Sequence, residues 1–397
     1  MTVLYTITAY LPSVGGAQYH LHEFARQVQR REAVQVVYQW DTNRSDWLLG
    51  TTLNAPLGGG PFIHDEVSAF RLSLTDEQRA ALRPYVYAYR LLQGVAIEQI
   101  SRRLMKNLRA MLQDSAFRPS VVHNFRVGRE GLTAASLALA RALDVPFVFT
   151  TNHHHHWHGW LYRHYCQMMQ QADYVIAHTE FERQALIGMG VKPDHIQVIG
   201  VAPLVAPNAD GARFRLRYDI PADAPLVLFL GQKYAYKRFD YLLRAADAIW
   251  RDFPTARLVF IGPRKPMSDA VFAKLKDPRI VELDTVDLQT KSDALAACDL
   301  LCMPSARESF GMVYLEAWHY GKPIIAGSAP AVREIVQHGV NGYRASSVAE
   351  VAAYTRRLLS SAGLRAEFGA AGRAYGQQFQ WESLAAKLTA VYDAVRG

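Results

Sequence analysis

The sequence predicts an α/β protein made of two doubly wound, Rossmann-like domains with parallel sheets, facing each other across a cleft. Its 397 residues are too many for one ordinary core. Strand-like runs also alternate with helix-like segments in both halves of the chain. We place the first domain at 1–202, a hinge at 203–212 and the second domain at 213–379. A final helix at about 380–397 is expected to pack back on the first domain.

The first half alternates strands and helices, which predicts parallel strands joined by right-handed crossovers. The predicted strands cover residues 3–8, 34–38, 121–124, 146–151, 174–178 and 196–199. The predicted helices cover residues 19–31 and 131–143, and a third begins at the capping box of 179–182. The alternation lapses from about 40 to 119, where we expect a glycine-rich loop and a long helical segment at about 76–113, which Pro84 and Gly94 could break.

A second alternating series follows a stretch at 201–211 that is rich in proline and alanine and is the best candidate for the hinge. The predicted strands of this series cover residues 226–230, 257–261, 280–283, 300–303 and 323–326. The predicted helices cover residues 238–251, 288–297 and 312–320, and helical segments close the chain, the last at about 381–395. The two halves therefore repeat one architecture.

The chain is basic, with 44 Lys and Arg residues against 36 Asp and Glu. This excess suits an anionic partner such as a nucleotide phosphate or an anionic membrane surface. We expect no nucleic-acid partner, because no recognised motif accompanies the basic residues. Arg102, Arg103, Lys106 and Arg109 recur at helical spacing and could lie peripherally on a membrane. A surface helix whose apolar face packs on the core explains them more simply.

Cysteine usage and hydropathy predict a cytoplasmic protein, and membrane binding would place it at the cytoplasmic face. No run of eighteen apolar residues occurs, and the N-terminus resembles a first strand rather than a signal peptide. The three cysteines Cys166, Cys298 and Cys302 are sparse and odd in number, which favours a reducing compartment. We expect Cys298 and Cys302 to be ordinary buried residues.

The segment 308–316 carries two carboxylates, Glu308 and Glu316, eight residues apart across a predicted turn from strand to helix. The helix is expected to begin near Gly311. Its unpaired backbone N–H groups and positive dipole end favour a phosphate group. Taken alone, the pair is explained more simply by a helix cap and a solvated surface residue.

Gly15 and Gly16 lie between the first strand and the first helix, where the backbone can approach a phosphate. They are not part of a G-x-G-x-x-G motif, so the dinucleotide fingerprint is missing. The loop 231–238 occupies the matching place in the second half and carries Lys233 and Lys237. Cations at the end of a parallel strand are placed to bind a diphosphate.

Residues 153–158 contain five histidines around Trp157. We expect no metal here, because consecutive side chains point in different directions, and the i, i+4 pair His154 and His158 would need a helix and a third ligand. A single histidine at the strand tip, hydrogen-bonding a substrate hydroxyl, is more plausible.

In this order, the features resemble glycosyltransferase family 4, the retaining, two-domain GT-B enzymes that use a nucleotide-sugar donor. The resemblance covers nearly the whole chain and is weakest at about 40–119. Its strongest block is PSARESFGMVYLEA at 304–317, followed by GKPII at 321–325 and EIVQHGVNG at 334–342.

The resemblance implies a role for each candidate residue. Glu308 would contact the donor sugar, Glu316 the nucleotide ribose and Gly16 the diphosphate, with Gly15 beside it. Lys237 would be the family's phosphate lysine. Backbone N–H groups would come from Phe310, Gly311, Met312 and Val313.

Two further positions bear on this assignment. His153 occupies the family's Thr-x-His position, where it would contact the sugar's C6 region, although the histidine run leaves the register uncertain by one residue. Gln232 departs from the family, which usually has arginine directly after the glycine that Gly231 represents. Lys233 could replace this arginine.

The resemblance therefore implies retaining transfer of a sugar from a UDP- or GDP-linked donor to a hydroxyl of a glycan, a glycolipid precursor or a small molecule. The donor would be a co-substrate, and we expect neither a cofactor nor a metal. His153, Glu308 and Lys237 are the catalytic candidates. The alternatives are a GT-B nucleotide-sugar epimerase or phosphorylase, and a non-catalytic membrane-associated protein with a degenerate donor site, which only Gln232 supports.

Overall fold

A computed structural model describes residues 2–13, 15–42, 48–126, 128–152 and 159–397. It divides into two compact units. The first unit comprises Met1–Val201 and Trp381–Gly397, and the second comprises Ala202–Gln380. Each unit is built on a sheet that is parallel apart from one edge strand in the first unit. The predicted class, two doubly wound parallel-sheet α/β domains, is thereby confirmed.

The first unit contains an eight-stranded sheet in the order β3-β4-β2-β1-β5-β6-β7-β8. Its strands are β1 (Thr2–Ala9), β2 (Ala33–Trp40), β3 (Gly60–His64), β4 (Val67–Arg71), β5 (Val121–Phe125), β6 (Phe147–Thr150), β7 (Tyr174–Ala177) and β8 (Ile196–Val198). Its helices before the second unit are α1 (Gly16–Val28), α2 (Leu48–Thr52), α3 (Asp76–Tyr87), α4 (Gln93–Asp114), α5 (Gly131–Leu143), α6 (Arg163–Gln171) and α7 (Glu180–Gly188).

The second unit contains a six-stranded parallel sheet in the order β11-β10-β9-β12-β13-β14. Its strands are β9 (Leu226–Leu230), β10 (Arg257–Ile261), β11 (Ile280–Leu283), β12 (Leu300–Met303), β13 (Ile324–Ala326) and β14 (Tyr343–Arg344). Its helices are α8 (Gly211–Arg217), α9 (Phe239–Asp252), α10 (Pro266–Phe272), α11 (Leu288–Ala297), α12 (Met312–His319), α13 (Pro330–Ile335), α14 (Val348–Ser360) and α15 (Ala362–Gly376). The last helix, α16 (Trp381–Ala394), belongs to the first unit.

A chain of buried polar side chains binds α16 to the sheet of the first unit. The Tyr392 hydroxyl hydrogen-bonds with the Tyr5 hydroxyl at 2.9 Å and with His123 Nδ1 at 2.6 Å. His123 Nε2 in turn lies 2.7 Å from Thr150 Oγ1. All four side chains are fully buried, so every polar group that they withdraw from water needs such a partner. The last helix is therefore an integral part of the first unit's core.

The long segment between β4 and β5 contains two helices, as the breaks expected near Pro84 and Gly94 suggested. α3 and α4 are separated by a one-turn 3₁₀ helix at Ala88–Arg90. The apolar face of α4 packs on α5, where a Cβ on Gly131 would lie 2.2 Å from Ile100 Cγ2. The simpler interpretation of α4, a surface helix with its apolar face in the core, is thus the correct one.

The cysteines and the hydropathy of the helices add two findings. Cys298 and Cys302 are buried, as predicted, and burial raises the pKa of the Cys298 thiol to about 12. Within the described residues, no helix combines the length and the apolar character needed to cross a bilayer.

We predict that the first unit loses stability in mild acid. Burial lowers the pKa values of His20, His123 and His178, that of His123 from 6.5 to about 3. Between about pH 6.5 and pH 3, His123 is protonated in the unfolded chain and neutral in the folded chain, so the unfolded chain binds more protons. The free energy of unfolding should therefore fall by about 1.4 kcal/mol per pH unit for His123 alone as the pH falls.

The measurement is urea unfolding at a series of pH values between neutral and mildly acidic. His123→Gln should weaken the pH dependence of the free energy of unfolding, because it removes the buried imidazole. Equal pH slopes for wild type and His123→Gln would contradict the prediction.

Candidate functional site

The candidate site lies where the connections of the second sheet change direction. β9 and β12 are neighbours, but the chain continues from β9 toward β10 and from β12 toward β13, on opposite sides. The loops that follow the two strands therefore diverge and leave a crevice at the carboxyl end of the sheet, where open α/β sheets bind ligands. These loops are residues 231–238 and 304–311, and they contain half of the predicted site residues.

Backbone contacts fix the two loops against each other. The Tyr236 carbonyl accepts a hydrogen bond from the Ala306 N–H at 2.7 Å. Ser305 is fully buried, and its hydroxyl donates to the Arg307 carbonyl at 2.8 Å, which closes a tight turn. Because the backbones of both loops are held in this way, the side chains of Lys237 and Glu308, one from each loop, are brought together.

Lys237 and Glu308 form a direct ion pair in the crevice. Lys237 Nζ donates a hydrogen bond to Glu308 Oε1, and the side chains are only 17% and 9% exposed. Burial by itself would lower the pKa of Lys237, but the Glu308 carboxylate and the neighbouring Tyr236 outweigh it, and the net pKa is raised. The ammonium is thus charged at neutral pH. Two of its three N–H groups remain for a ligand once one is given to Glu308.

The second carboxylate, Glu316, is also paired with a lysine. Lys291 Nζ donates to Glu316 Oε1 and to the Leu204 carbonyl, each at 2.7 Å. Glu316 is buried on α12, and Lys291 lies on α11. A carboxylate has two oxygens, so pairing with one lysine leaves capacity to accept from a hydroxyl pair.

Lys291 was not predicted as a site residue. It is the one basic residue in the sequence of α11. Because α11 directly precedes β12, whose following loop carries Glu308, this single lysine is a sequence signal that could have identified Lys291 as a site residue.

The turn between the carboxylates depends on Gly311. Its φ of 93° is left-handed, and a Cβ there would lie 2.3 Å from the Tyr314 ring. The Tyr314 hydroxyl donates to the Met303 carbonyl at 3.1 Å, which fixes α12 to β12. Phe310 is buried and packs edge-on against Phe379, with ring centroids 5.3 Å apart.

The start of α12 is suited to an anion. Met312 and Val313 occupy the first turn, where backbone N–H groups have no partner within the helix. The positive end of the helix dipole lies at the same place. Lys237, Glu308 and this helix start therefore border one crevice.

The prediction that Lys233 replaces an arginine at a phosphate is corrected by its contacts. Lys233 is fully buried, and its ammonium donates to the carbonyls of Gly262 and Leu283, the latter at 2.8 Å. It also pairs with Glu282 at 2.7 Å. Three partners use its three N–H groups. The cause is the close approach of the loops after β9 and β10, where a Cβ on Gly262 would lie 2.2 Å from the Gly231 carbonyl oxygen.

Three further predicted positions, Gln232, Gly15 and Gly16, lie in described parts of the chain. Gln232 follows Gly231 in the loop after β9 and is half-buried. Gly15 caps α1 with an extended backbone, and α1 begins at Gly16 in the first unit. A Cβ on Gly16 would meet nothing within 4 Å, so the space beside it is open.

The histidine run, His153 included, lies outside the described residues. Within the described ranges, no three His, Cys, Asp or Glu side chains are arranged to hold a metal ion. The neighbouring Asn152 is described, and its Oδ1 lies 3.1 Å from His178 Nε2.

Two family models match the chain. Residues 15–202 match the model described as a glycosyl transferase 4-like domain. Residues 224–361 match the model described as glycosyl transferases group 1. The two matches coincide with the two parallel-sheet units.

Curated relatives align with part of the chain. The D-inositol 3-phosphate glycosyltransferase of Streptosporangium roseum is 32% identical over 243 residues, which are 57% of this chain and 56% of that protein. The enzyme of the same name from Thermobispora bispora is 31% identical over 243 residues, 57% of each chain. The alignment thus spans little more than half the length of these relatives.

Solved structures match nearly the whole chain in fold. Anabaena Alr3699/HepE in complex with UDP-glucose gives a TM-score of 0.75 at 16% identity, over 99% of this chain and 100% of that chain. The sucrose-phosphate synthase of Thermosynechococcus elongatus gives 0.73 at 16% identity, over 99% and 98%. WaaG, a glycosyltransferase involved in lipopolysaccharide biosynthesis, gives 0.67 at 17% identity over both full chains. At these identities the likeness shows the fold.

We predict that Lys233→Met lowers the free energy of unfolding of the second unit by about 1–3 kcal/mol, because it removes the ammonium that donates to the buried Gly262 carbonyl and to the Leu283 carbonyl, which keeps only the Gly262 N–H. Glu282 keeps its pairing with Arg264 at 2.6 Å. Urea unfolding measures the change, and Lys274→Met, at an exposed lysine, is the matched control. Unchanged stability combined with weaker pyrophosphate binding would restore the phosphate role of Lys233.

Proposed function

Because the chain belongs to glycosyltransferase family 4, we propose that it moves a sugar from a nucleotide-diphosphate sugar to a hydroxyl group of an acceptor, with retention of configuration. The observation that carries this proposal is the ion pair of Lys237 and Glu308 beside the start of α12. It sets a fixed cation, a carboxylate and free backbone N–H groups around one crevice. A sugar diphosphate needs these three kinds of group.

The donor would use these groups in sequence along the crevice. Glu308 accepts hydrogen bonds from sugar hydroxyls while its other oxygen holds Lys237. The backbone N–H groups of residues 310–313 face the sugar and the diphosphate. Glu316, oriented by Lys291, accepts from the two ribose hydroxyls.

Charge stabilisation supplies the main catalytic effect in this proposal. As the bond to the sugar breaks, negative charge builds on the departing diphosphate. Lys237 and the α12 dipole are already oriented toward it, so little reorganisation is needed. The transition state is oxocarbenium-like, and the leaving phosphate accepts the acceptor's proton as attack occurs on the same face. Glu308 and Glu316 bind the donor rather than exchange protons, and no metal is required.

The donor class follows from the chemistry of the crevice and from the neighbours. One structural neighbour is described in complex with UDP-glucose, and the curated relatives are named as glycosyltransferases of an inositol phosphate. For this chain we propose a UDP- or GDP-linked sugar and a hydroxyl acceptor of a glycan, a glycolipid precursor or a small molecule. His153 would act at the sugar's C6 region. The reaction would take place in the cytoplasm.

The test is incubation with a panel of UDP- and GDP-sugars in EDTA, with and without hydroxyl acceptors. We expect nucleotide release that depends on one donor and increases with an acceptor, and a product whose anomeric configuration by NMR equals that of the donor. Conversion of the donor alone would indicate an epimerase, and a requirement for free phosphate a phosphorylase. Donor binding by calorimetry without turnover would favour a degenerate site, and full loss of activity in EDTA would contradict metal independence.

Two substitutions should separate donor binding from charge stabilisation. Glu316→Ala should raise the donor KM strongly with a smaller effect on kcat, because it removes contacts made equally in the ground state. Lys237→Ala should lower kcat by about two orders of magnitude, since it removes a charge needed as the diphosphate departs. Steady-state kinetics with saturating acceptor give both constants.

The matched controls are Glu367→Ala and Lys274→Ala, which remove exposed charges of the same unit. Both should leave kcat and KM near the wild-type values. An unchanged donor KM in Glu316→Ala would remove the ribose role. More than about half of the wild-type turnover in Lys237→Ala would remove the phosphate role.

A further inference from the structure

Among the described residues of the first unit, several large apolar side chains are exposed, and five of them lie on two segments that contact each other. Tyr87 is 68% exposed, Leu91 84%, Leu92 50%, Val95 44% and Trp160 60%. Single exposed apolar residues are common on protein surfaces, but four of these lie within nine residues of sequence. We call the five residues together the apolar tip.

Two contacts bring Trp160 to the other four residues. The Tyr89 hydroxyl donates to the Leu161 carbonyl at 2.9 Å. A Cβ on Gly94 would lie 3.3 Å from the His164 ring. The connection between α3 and α4 therefore lies against the 3₁₀ turn Trp160–Tyr162 that precedes α6. The apolar tip is one surface made by two distant segments.

Each of the two segments that form the apolar tip also carries arginine residues. Arg83 and Tyr87 are exposed one helical turn apart on α3, and Arg90 is exposed beside Leu91. The Arg163 guanidinium stacks on the Trp160 ring at 3.8 Å from its centroid.

Acidic residues are rare around the tip. Residues 79–109 contain seven basic side chains and one acidic side chain, Glu98, a net charge of 7 − 1 = +6. Glu98 is itself paired with Arg102 at 2.6 Å. The stretch of sequence that carries four of the five tip residues is thus cationic.

We propose that the apolar tip inserts into the headgroup layer of an anionic lipid bilayer. Trp and Tyr favour the interface between water and lipid, and arginines extend their charged ends to the lipid phosphates. Leu91 and Leu92 supply the apolar area that enters the acyl boundary. The cations add attraction to an anionic surface. The contact is a surface attachment, and it differs from the α4 face considered above, whose apolar residues Ile100 and Leu104 are buried.

A second copy of the chain fits this surface less well. A symmetric contact through the tip would place Arg83, Arg90 and Arg163 against the same residues of the other copy. Opposed like charges across an interface are costly. An anionic bilayer satisfies the apolar and the cationic parts at once.

The test is flotation of the full chain with phosphatidylcholine vesicles, with and without phosphatidylglycerol. We expect binding that requires phosphatidylglycerol and weakens at high salt. Leu91→Ser/Leu92→Ser should lower the partition coefficient at least about tenfold. Arg83→Gln/Arg90→Gln should lower it about fivefold per charge. Leu216→Ser is the matched control, because Leu216 is 83% exposed in the second unit, and it should bind as the wild type does.

The variants should melt within a few degrees of the wild type, since the replaced side chains are largely exposed. If the double variant fails to fold, Leu91→Ser alone repeats the test at the most exposed position. Absence of wild-type binding to phosphatidylglycerol vesicles, or equal binding by the tip variant, would overturn the proposal. So would a wild-type dimer in sedimentation velocity that Leu91→Ser/Leu92→Ser converts to monomer. Because lipid binding is measured without donor or acceptor, its failure is separate from failure of the proposed function.

Discussion

The ion pair between Lys237 and Glu308 is the interaction on which the second unit's crevice depends. Each residue follows a different strand, and their loops diverge because β9 and β12 continue toward opposite edges of the sheet. Removing two charges from water is costly, so such a pair persists only where the surrounding backbone holds it in good geometry. The Tyr236 carbonyl and the buried Ser305 turn provide that support. The Glu308 carboxylate stabilises the protonated form of Lys237, so the crevice contains a charged ammonium group.

The sequence was sufficient for five of the six strands of the second unit's sheet and insufficient for its two-residue edge strand β14 and for one edge of the first unit's sheet. β9 and β12 are fully buried apolar runs, which hydropathy identifies directly. The β3–β4 hairpin escaped prediction because β3 begins in a glycine-rich stretch and is mostly exposed. Its pairing with β4 comes from the neighbouring sheet rather than from a periodic pattern.

Prediction of the candidate site from the sequence was limited in the same way for individual side chains. The segment 308–316 carries both carboxylates around one strand-to-helix turn, and the loop after β9 carries Lys237, so the places of these residues in the fold follow from local sequence. It could not locate Lys291, whose position beside Glu316 depends on how α11 packs near α12. It misplaced Lys233 for a related reason: Glu282, which lies forty-nine residues later on β11, determines where that side chain is held. Local patterns identify which residues meet a ligand only where the turn itself fixes their direction.

The hydrogen-bonded chain from Tyr392 through His123 has a consequence for how the protein is made. The second unit is one continuous stretch of sequence, whereas the first unit lacks its last helix until residues 381–397 have been synthesised. During synthesis, the first unit therefore emerges before the second but can complete its core only after it. The hydroxyl of Tyr5 and Nδ1 of His123 lack their partner Tyr392 until residues 381–397 have been synthesised, and the second unit can complete its core before the first one does.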